Sequence, residues 1–371
     1  MAVNPSVLIA AGGTGGHVFP GLAVAKELVK RGYTVHWLGT TAGIEASLVP
    51  DAGLELHIIS IKGVRGRGIK ALVLAPFLIV GAVRQALRIV RSIQPSLIIG
   101  MGGFVAGPGG LAAKLAGVPL LIHEQNAVAG TTNKLLSTIA NQVLVAFPGA
   151  FPKAKWIGNP VRQEFYRRGV KKQRGNAVKV LVVGGSRGAR ALNELVAQVL
   201  SDHSDLRSQL AVYHQTGEKL FEEAQHYYGS KTVMLTDKAL SELSLGDIAV
   251  KPFISDMAAA FNWADLVVCR AGALTISELA ASGVASILVP FPFAIDDHQA
   301  KNANYLVEAG AAVQWSQNEI TSEVLATQLG VFVEKRSLLE EMGSKALLCA
   351  KPNAVEEFAQ SCEMLIQQKA A

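Results

Sequence analysis

Ser6-Val-Leu-Ile-Ala-Ala-Gly-Gly-Thr-Gly-Gly-His17 is an apolar run of strand length that ends in glycine, and a helical stretch, Val18–Arg31, follows it. Its apolar residues are continuous instead of alternating, as in a parallel strand covered on both faces. Val178-Lys-Val-Leu-Val-Val-Gly-Gly185 starts the same pattern again. Outward from the first run, strands are expected at Val35–Leu38, Leu54–Ser60, Ser96–Ile99, Pro119–His123 and Gln142–Ala146. Helices are expected between them at Ile44–Val49, Lys70–Ser92, Pro108–Ala116 and Thr131–Ile139. The alternation breaks at Ile157-Gly-Asn-Pro-Val161, a linker composition. After the restart come strands at Leu210–Gln215, Leu266–Cys269, Ser286–Pro290 and Ala312–Trp315. The pattern predicts an α/β protein of two Rossmann-like, parallel-sheet domains separated by a cleft. The expected boundaries are 1–163 and 164–345. Leu338 to Gln368 reads as paired helices broken at Lys351-Pro352, and the last segment, 346–371, is free to cross back onto the first domain.

A chain of 371 residues is long enough for about two domains with full cores. Half of its residues are hydrophobic and 17% charged, which excludes a disordered chain. Cys269, Cys349 and Cys362 have neither paired nor zinc-like spacing, as expected in a reducing compartment. The first residues lack the charged start of a signal peptide. The longest apolar run, Ala71 to Val83, is 13 residues with Pro76 inside, against the roughly 20 that cross a bilayer. A soluble, cytoplasmic protein is the expectation.

The net charge of +6 is unevenly spread. Residues 1–163 hold 15 Lys/Arg against 5 Asp/Glu, and residues 164–371 hold 20 against 24. Between Leu56 and His123 stand Lys62, Arg65, Arg67, Lys70, Arg84, Arg88, Arg91 and Lys114, with no acid among them. Such a field implies an anionic partner for the first half. Nucleic acid is not expected, because no aromatic residues interleave with the basic cluster as a base-stacking surface requires. The cluster flanks the apolar run at 71–83, and Arg84, Arg88 and Arg91 are spaced to share one helix face. A helix start that dips into an anionic membrane surface reads this way. So does a buried α/β helix with a solvated basic face.

Three glycine-rich turns follow apolar strands: Gly12 to His17, Gly100-Met-Gly-Gly-Phe-Val-Ala-Gly-Pro-Gly-Gly110, and Gly184-Gly-Ser-Arg-Gly-Ala189. Glycine lets backbone approach an anion, and the helix behind it offers N–H groups and a positive dipole end. A tight strand-to-helix turn also uses glycine, so each loop alone decides little. None reads G-x-G-x-x-G or as a P-loop, which argues against nicotinamide and ATP-hydrolysing sites. No Asp-x-Asp occurs either, so the usual carboxylates of a metal-bridged nucleotide are missing. The two loops in the basic half suit a diphosphate carrying an apolar group. His17, at a helix N-terminus, is a candidate base or a hydrogen-bonding partner of its own loop. Glu124, the only acid between Leu56 and Arg162, is a neutralising partner or a functional acid. Glu278, a turn into the helix after Arg270-Ala-Gly272, suits two ribose hydroxyls or a helix dipole equally.

These stretches, with His123-Glu-Gln-Asn126, Gly158-Asn-Pro-Val-Arg162 and Cys269-Arg-Ala-Gly-Ala-Leu-Thr-Ile-Ser-Glu278, resemble the MurG family over nearly the whole chain. Its members are undecaprenyl-diphospho-muramoylpentapeptide β-N-acetylglucosaminyltransferases of bacterial peptidoglycan synthesis. The resemblance implies a GT-B fold and inverting transfer of N-acetylglucosamine from UDP-N-acetylglucosamine (UDP-GlcNAc) to the 4-hydroxyl of the muramoyl sugar of lipid I, giving lipid II and UDP. It implies donor contacts at Thr14, Gly15, Gly16, Asn126, Arg162, Ser186, Ile254, Ala273, Leu274, Thr275, Ile276, Ser277, Glu278 and Gln299. Ile254 would meet the uracil, Glu278 the ribose, Ser186 and the 273–275 turn the diphosphate, and Gln299 the hexosamine. The acceptor diphosphate would lie at Gly15, Gly16, Gly102 and Gly103. His17 is the expected base, with Glu124 orienting it or acting as base itself. No metal and no cofactor is expected. The implied location is peripheral, on the cytoplasmic face of the inner membrane. His298 and Arg187 stand where the family often has Gln, and Thr232–Val250 has no assigned role. Two rival readings are a UDP-sugar 2-epimerase and a noncatalytic lipid-diphosphate binder.

Overall fold

Continuous β-branched and leucine runs pair edge to edge because every residue on both faces meets apolar cover. A computed structural model describes residues 5–61, 69–166, 177–185, 188–229 and 236–370. The chain divides into two compact units, Met1–Arg162 with Lys351–Ala371, and Gln163–Ala350.

In the first unit the strands are β1 (Ser6–Ala10), β2 (Thr34–Gly39), β3 (Glu55–Ile58), β4 (Leu97–Gly100), β5 (Leu120–Glu124), β6 (Gln142–Val145) and β7 (Lys155–Trp156). The helices are α1 (Gly15–Lys30), α2 (Glu45–Asp51), α3 (Ile69–Ile93), α4 (Gly103–Ala116) and α5 (Thr131–Leu136). All strands are parallel, in the order β3-β2-β1-β4-β5-β6-β7. Val7, Ile9, Trp37 and Ile99 face one core layer, and Leu8, Ala10, Leu38 and Ile98 face the other, with α3 and α4.

The second unit has β8 (Val178–Val183), β9 (Leu210–Gln215), β10 (Ile248–Lys251), β11 (Leu266–Cys269), β12 (Ala285–Leu288) and β13 (Ala312–Gln314). Its helices are α6 (Arg190–Asp202), α7 (Ser204–Arg207), α8 (Phe221–Gly229), α9 (Met257–Trp263), α10 (Ala273–Ser282), α11 (His298–Val307), α12 (Ser322–Glu334) and α13 (Ser337–Leu348). Its six strands are again parallel, ordered β10-β9-β8-β11-β12-β13. Both units are Rossmann-like, as the two sequence restarts predict.

The last helix, α14 (Ala354–Ala370), belongs to the first unit. Phe358, Ala359, Cys362 and Leu365 enter the core layer that α1 covers, and the Phe358 ring lies 5.6 Å from that of His123.

Helices α1 and α4 begin earlier than their apolar periodicity suggests. Their first turns are glycine-rich and carry little apolar signal, and each has a proline, Pro20 and Pro108, at its sixth residue. Burial of Val105 and Ala106 outweighs the weak helix propensity of the glycines around them. Two strands escape the sequence reading. β7 has only two residues, both exposed, and β10 begins inside the unassigned stretch 232–250 and ends one residue past it; of that stretch 232–235 fall outside the described residues.

Candidate active site

Both sheets have one place where neighbouring strands send their chains to opposite sides, and ligands bind at such a switch point. In the first unit it lies between β1 and β4, whose exits lead into α1 and α4. Thr14 caps α1 with extended backbone, and its carbonyl accepts from the His17 and Val18 amides at 3.1 and 3.2 Å. Gly15 and Gly16 open α1, and Gly103 opens α4. First-turn amides of a helix lack intrahelical acceptors, so two sets of donors emerge side by side, with no acid in either first turn.

Glycine is obligatory where the two loops meet. Gly102 has φ +94°, and a Cβ there would lie 2.8 Å from the His17 ring. At Gly103, φ +75°, a Cβ would come within 2.5 Å of the Gly12 carbonyl oxygen.

The His17 ring is held from its other side. Its Nδ1 lies 3.1 Å from Gln125 Oε1, and Gln125 Nε2 donates to the Met101 carbonyl at 2.7 Å. A carbonyl accepts only, so the amide nitrogen of Gln125 must face Met101 and its oxygen must face His17. Nδ1 therefore carries the proton and donates. The Nε2 of the neutral ring keeps its lone pair.

Glu124 does not occupy that place. Its buried carboxylate accepts from the Asn126 amide (3.0 Å), Asn126 Nδ2 (3.2 Å), the Gly130 amide (3.0 Å) and Asn133 Nδ2 (2.8 Å). All these donors come from the segment after β5 and the start of α5. Glu124 shapes that segment, and the expected contact with His17 is made by Gln125. Just below, buried His123 meets the Gly158 carbonyl through Nε2 at 3.0 Å, and burial pushes its pKa down to about 4. Asn159 Nδ2 donates to the Gln125 carbonyl at 3.2 Å, and the Arg162 guanidinium stands 5.6 Å from the Phe19 ring centroid.

The second switch point lies between β8 and β11. Ser186 and Arg187 fall outside the described residues, but the turn around them is braced. Gln215 accepts from the Gly185 amide at 3.1 Å and donates to the carbonyls of Gly185 and Pro252, each at 3.2 Å. One buried amide thus fastens the glycine turn to the segment that carries Ile254. Gly272 caps α10, so Ala273, Leu274 and Thr275 form its first turn. Ile254, Ala273 and Ile276 are buried. Ser277 Oγ donates back to the Ala273 carbonyl at 3.1 Å, and Glu278 is half-buried. Gln299 Oε1 accepts from the Phe291 amide at 2.9 Å, fastening the loop after β12.

Residues 7–145 match the glycosyltransferase family 28 N-terminal domain, and residues 179–361 match the glycosyltransferase family 28 C-terminal domain. The chain belongs to glycosyltransferase family 28. Among family 28 relatives, a UDP-N-acetylglucosamine--N-acetylmuramyl-(pentapeptide) pyrophosphoryl-undecaprenol N-acetylglucosamine transferase from Ectopseudomonas mendocina (strain ymp) is 50% identical over 367 residues, 98% of this chain and 99% of its own. The crystal structure of Acinetobacter baumannii MurG is similar with a TM-score of 0.78 at 43% identity, covering 98% of this chain and 99% of that one. A putative UDP-N-acetylglucosamine 2-epimerase from Listeria monocytogenes, at 12% identity and a TM-score of 0.67 over 99% of this chain and 98% of its own, shares the fold alone.

Three supporting residues of this family 28 site escaped the sequence reading. Gln125 stood inside a quoted stretch without a role. Gln215 ends an unremarkable strand. Glu45 is one of five acids in the first 163 residues, and that rarity was its only signal. Its buried carboxylate accepts from the Gly13 amide (3.0 Å), the Thr40 amide (3.1 Å) and Thr40 Oγ1 (2.8 Å), fixing the first glycine loop from behind.

The family 28 chain also exposes an apolar helix segment. In α3, Phe77, Leu78, Ile79 and Val80 are 76%, 51%, 39% and 49% exposed. Four consecutive residues span about 300° of a helix, so this stretch is not the covered face of a core helix. Further along, Ala82, Ala86 and Val90 are buried, and Arg84, Arg88 and Arg91 share the exposed side. Lys62, Arg65 and Arg67 lie outside the described residues. Among the described residues no helix is long and apolar enough to cross a membrane.

Proposed function

We propose that this chain transfers N-acetylglucosamine from UDP-GlcNAc to the 4-hydroxyl of the muramoyl sugar of lipid I, with inversion, releasing UDP and forming lipid II. The observation that carries the proposal is 50% identity, over nearly the full length of both chains, to a transferase named for that reaction. The His17–Gln125 arrangement fits the chemistry. His17 Nε2 takes the proton of the acceptor hydroxyl as its oxygen attacks the anomeric carbon. The new glycosidic bond forms on the face opposite the breaking bond to the phosphate oxygen, and that bond's electron pair leaves on UDP.

The first-turn amides of α10 behind Gly272 are the proposed partners of the departing diphosphate, with Arg162 and the Ser186 turn. Glu278 serves the ribose, Ile254 the uracil and Gln299 the hexosamine. Because Ile276 is buried, that position serves the donor through backbone and helix geometry, while the Ser277 hydroxyl, which donates to the Ala273 carbonyl, keeps its acceptor lone pairs. The lipid-linked diphosphate of the acceptor is assigned to Gly15, Gly16, Gly102 and Gly103. The exposed residues 77–80 and the arginine face of α3 suit an anionic membrane surface, here the cytoplasmic face of the inner membrane.

The test incubates purified protein with labelled UDP-GlcNAc, with and without a lipid I analogue, and follows UDP release and label transfer. Acceptor-dependent transfer is expected. Isomerisation of the donor without acceptor would establish an epimerase instead.

A further inference from the structure

On the sheet edge of the first unit, away from both glycine loops in sequence, three metal-ligating side chains converge. His36 on β2 stands directly across from Glu55 on β3, and His57 follows two residues later, opposite Leu38. Side chains two apart on a strand share a face. His36 Nδ1 lies 3.1 Å from Glu55 Oε2, His57 Nε2 lies 3.5 Å from Glu55 Oε1, and the two ring nitrogens are 3.3 Å apart. Among the described residues this is the one group of three such side chains with converging donor atoms.

The spacing has a simple meaning. Donors held about 2.0–2.1 Å from a tetrahedral ion are about 3.3 Å from one another. The 3.3 Å between the two imidazole nitrogens matches that value, and one donor atom from each of the three residues lies within 4.8 Å of the others, so a turn of the exposed Glu55 carboxylate completes a site on the two rings. Two imidazoles and a carboxylate are also the donor set that divalent zinc and its neighbours prefer, whereas calcium and magnesium prefer all-oxygen shells. The imidazole side chains are only 16% and 20% exposed, held by the sheet and its cover, while Glu55 is 65% exposed and leaves a path from solvent. None of the three has a part in the transfer proposed above.

We propose that His36, Glu55 and His57 form a binding site for one divalent first-row transition-metal ion, with a fourth position open to water. The ion joins β3, the edge strand, to β2. It thereby stabilises the edge of the sheet by binding the folded unit only.

The test strips the full-length protein with a chelator, removes the chelator, and titrates with Co2+ while visible d–d absorption is recorded. One equivalent should bind with the intense bands of a tetrahedral site and be displaced by Zn2+. His36→Gln and His57→Gln should each weaken binding at least tenfold or so, the scale on which even outer partners of a metal count. Glu55→Gln, at a largely exposed position, should weaken it too and guards against a histidine variant that fails to fold. A readout without any variant is protection of His36 and His57 from diethyl pyrocarbonate by Zn2+, mapped by mass spectrometry. The site is refuted if the unsubstituted protein binds no stoichiometric Co2+. Variants that bind as well as the parent, or unchanged modification of both histidines with Zn2+, refute it equally.

Discussion

Gln125 Oε1 lies 3.1 Å from His17 Nδ1, and this contact selects which nitrogen of His17 keeps its lone pair. Because Gln125 is itself locked by the Met101 carbonyl at 2.7 Å, the selection is made by backbone geometry. His17→Ala should lower kcat by about 10²–10⁴ with little change in donor KM. Gln125→Leu should leave binding intact and also lower kcat, because Nδ1 loses the acceptor that fixes the tautomer. Steady-state kinetics on both variants checks this, and a change confined to KM would assign His17 to binding.

Gly102→Ala tests the close approach of the two glycine loops. The backbone at φ +94° and ψ −173°, a region adopted almost only by glycine, should alone cost the fold about 1–3 kcal/mol, and the new methyl pushes against the His17 ring. A fall in kcat beyond what the thermal shift accounts for is expected. Wild-type kinetics in a destabilised protein would show that the ring has room to move.

Glu124 offers a direct contrast between a base and an organiser of its segment. Glu124→Gln keeps one accepting oxygen but turns an amide donor either toward the two Asn126 donors or toward the Gly130 amide and Asn133 Nδ2. Loss of stability by about 1–3 kcal/mol, the cost of unsatisfied buried groups, should accompany any loss of activity. Full stability with activity lost would return Glu124 to the role of base.

Stability should depend on pH through His123 and His214, one in each unit. Burial holds them near 4 and 3, well below an unfolded histidine. The unfolded chain therefore binds these protons first. Their contribution is complete above about pH 6.5 and is lost as pH falls toward the folded values. At pH 5 the loss is on the order of 2 kcal/mol for each histidine. Denaturant titrations at pH 7.5, 6 and 5 should show it, and flat midpoints would contradict it.

Phe77→Asp with Leu78→Asp should abolish sedimentation with anionic vesicles while leaving transfer to a water-soluble acceptor unchanged. Replacing Arg84, Arg88 and Arg91 should weaken vesicle binding by about 1 kcal/mol each and reduce its salt dependence. Unaltered vesicle binding in both sets would make this segment a surface for something other than lipid.

Much of the architecture was legible because unbroken apolar runs such as Val7–Ala11 and Val180–Val183 are rare outside doubly covered parallel strands. β10 was not, since an edge strand is recognised by its neighbour β9 more than by its own composition. The glycine stretches announced tight strand-to-helix turns, and the arginine spacing in α3 announced an exposed basic face. Periodicity could not tell whether residues 77–80 are covered, because covering depends on what packs against them.

Local chemistry therefore specified the units, their strand-to-helix turns and the family to which those turns belong, all of which depend on residues close together in the chain. Which polar groups meet was settled by folding alone. Gln125 reaches His17 across 108 positions, Glu45 reaches Gly13 across 32, and Gln215 reaches Gly185 across 30. A hydrogen bond exists only within about 3 Å and along one direction, so neighbours in sequence such as Glu124 and Gln125 acquire different tasks once β5 turns their side chains apart.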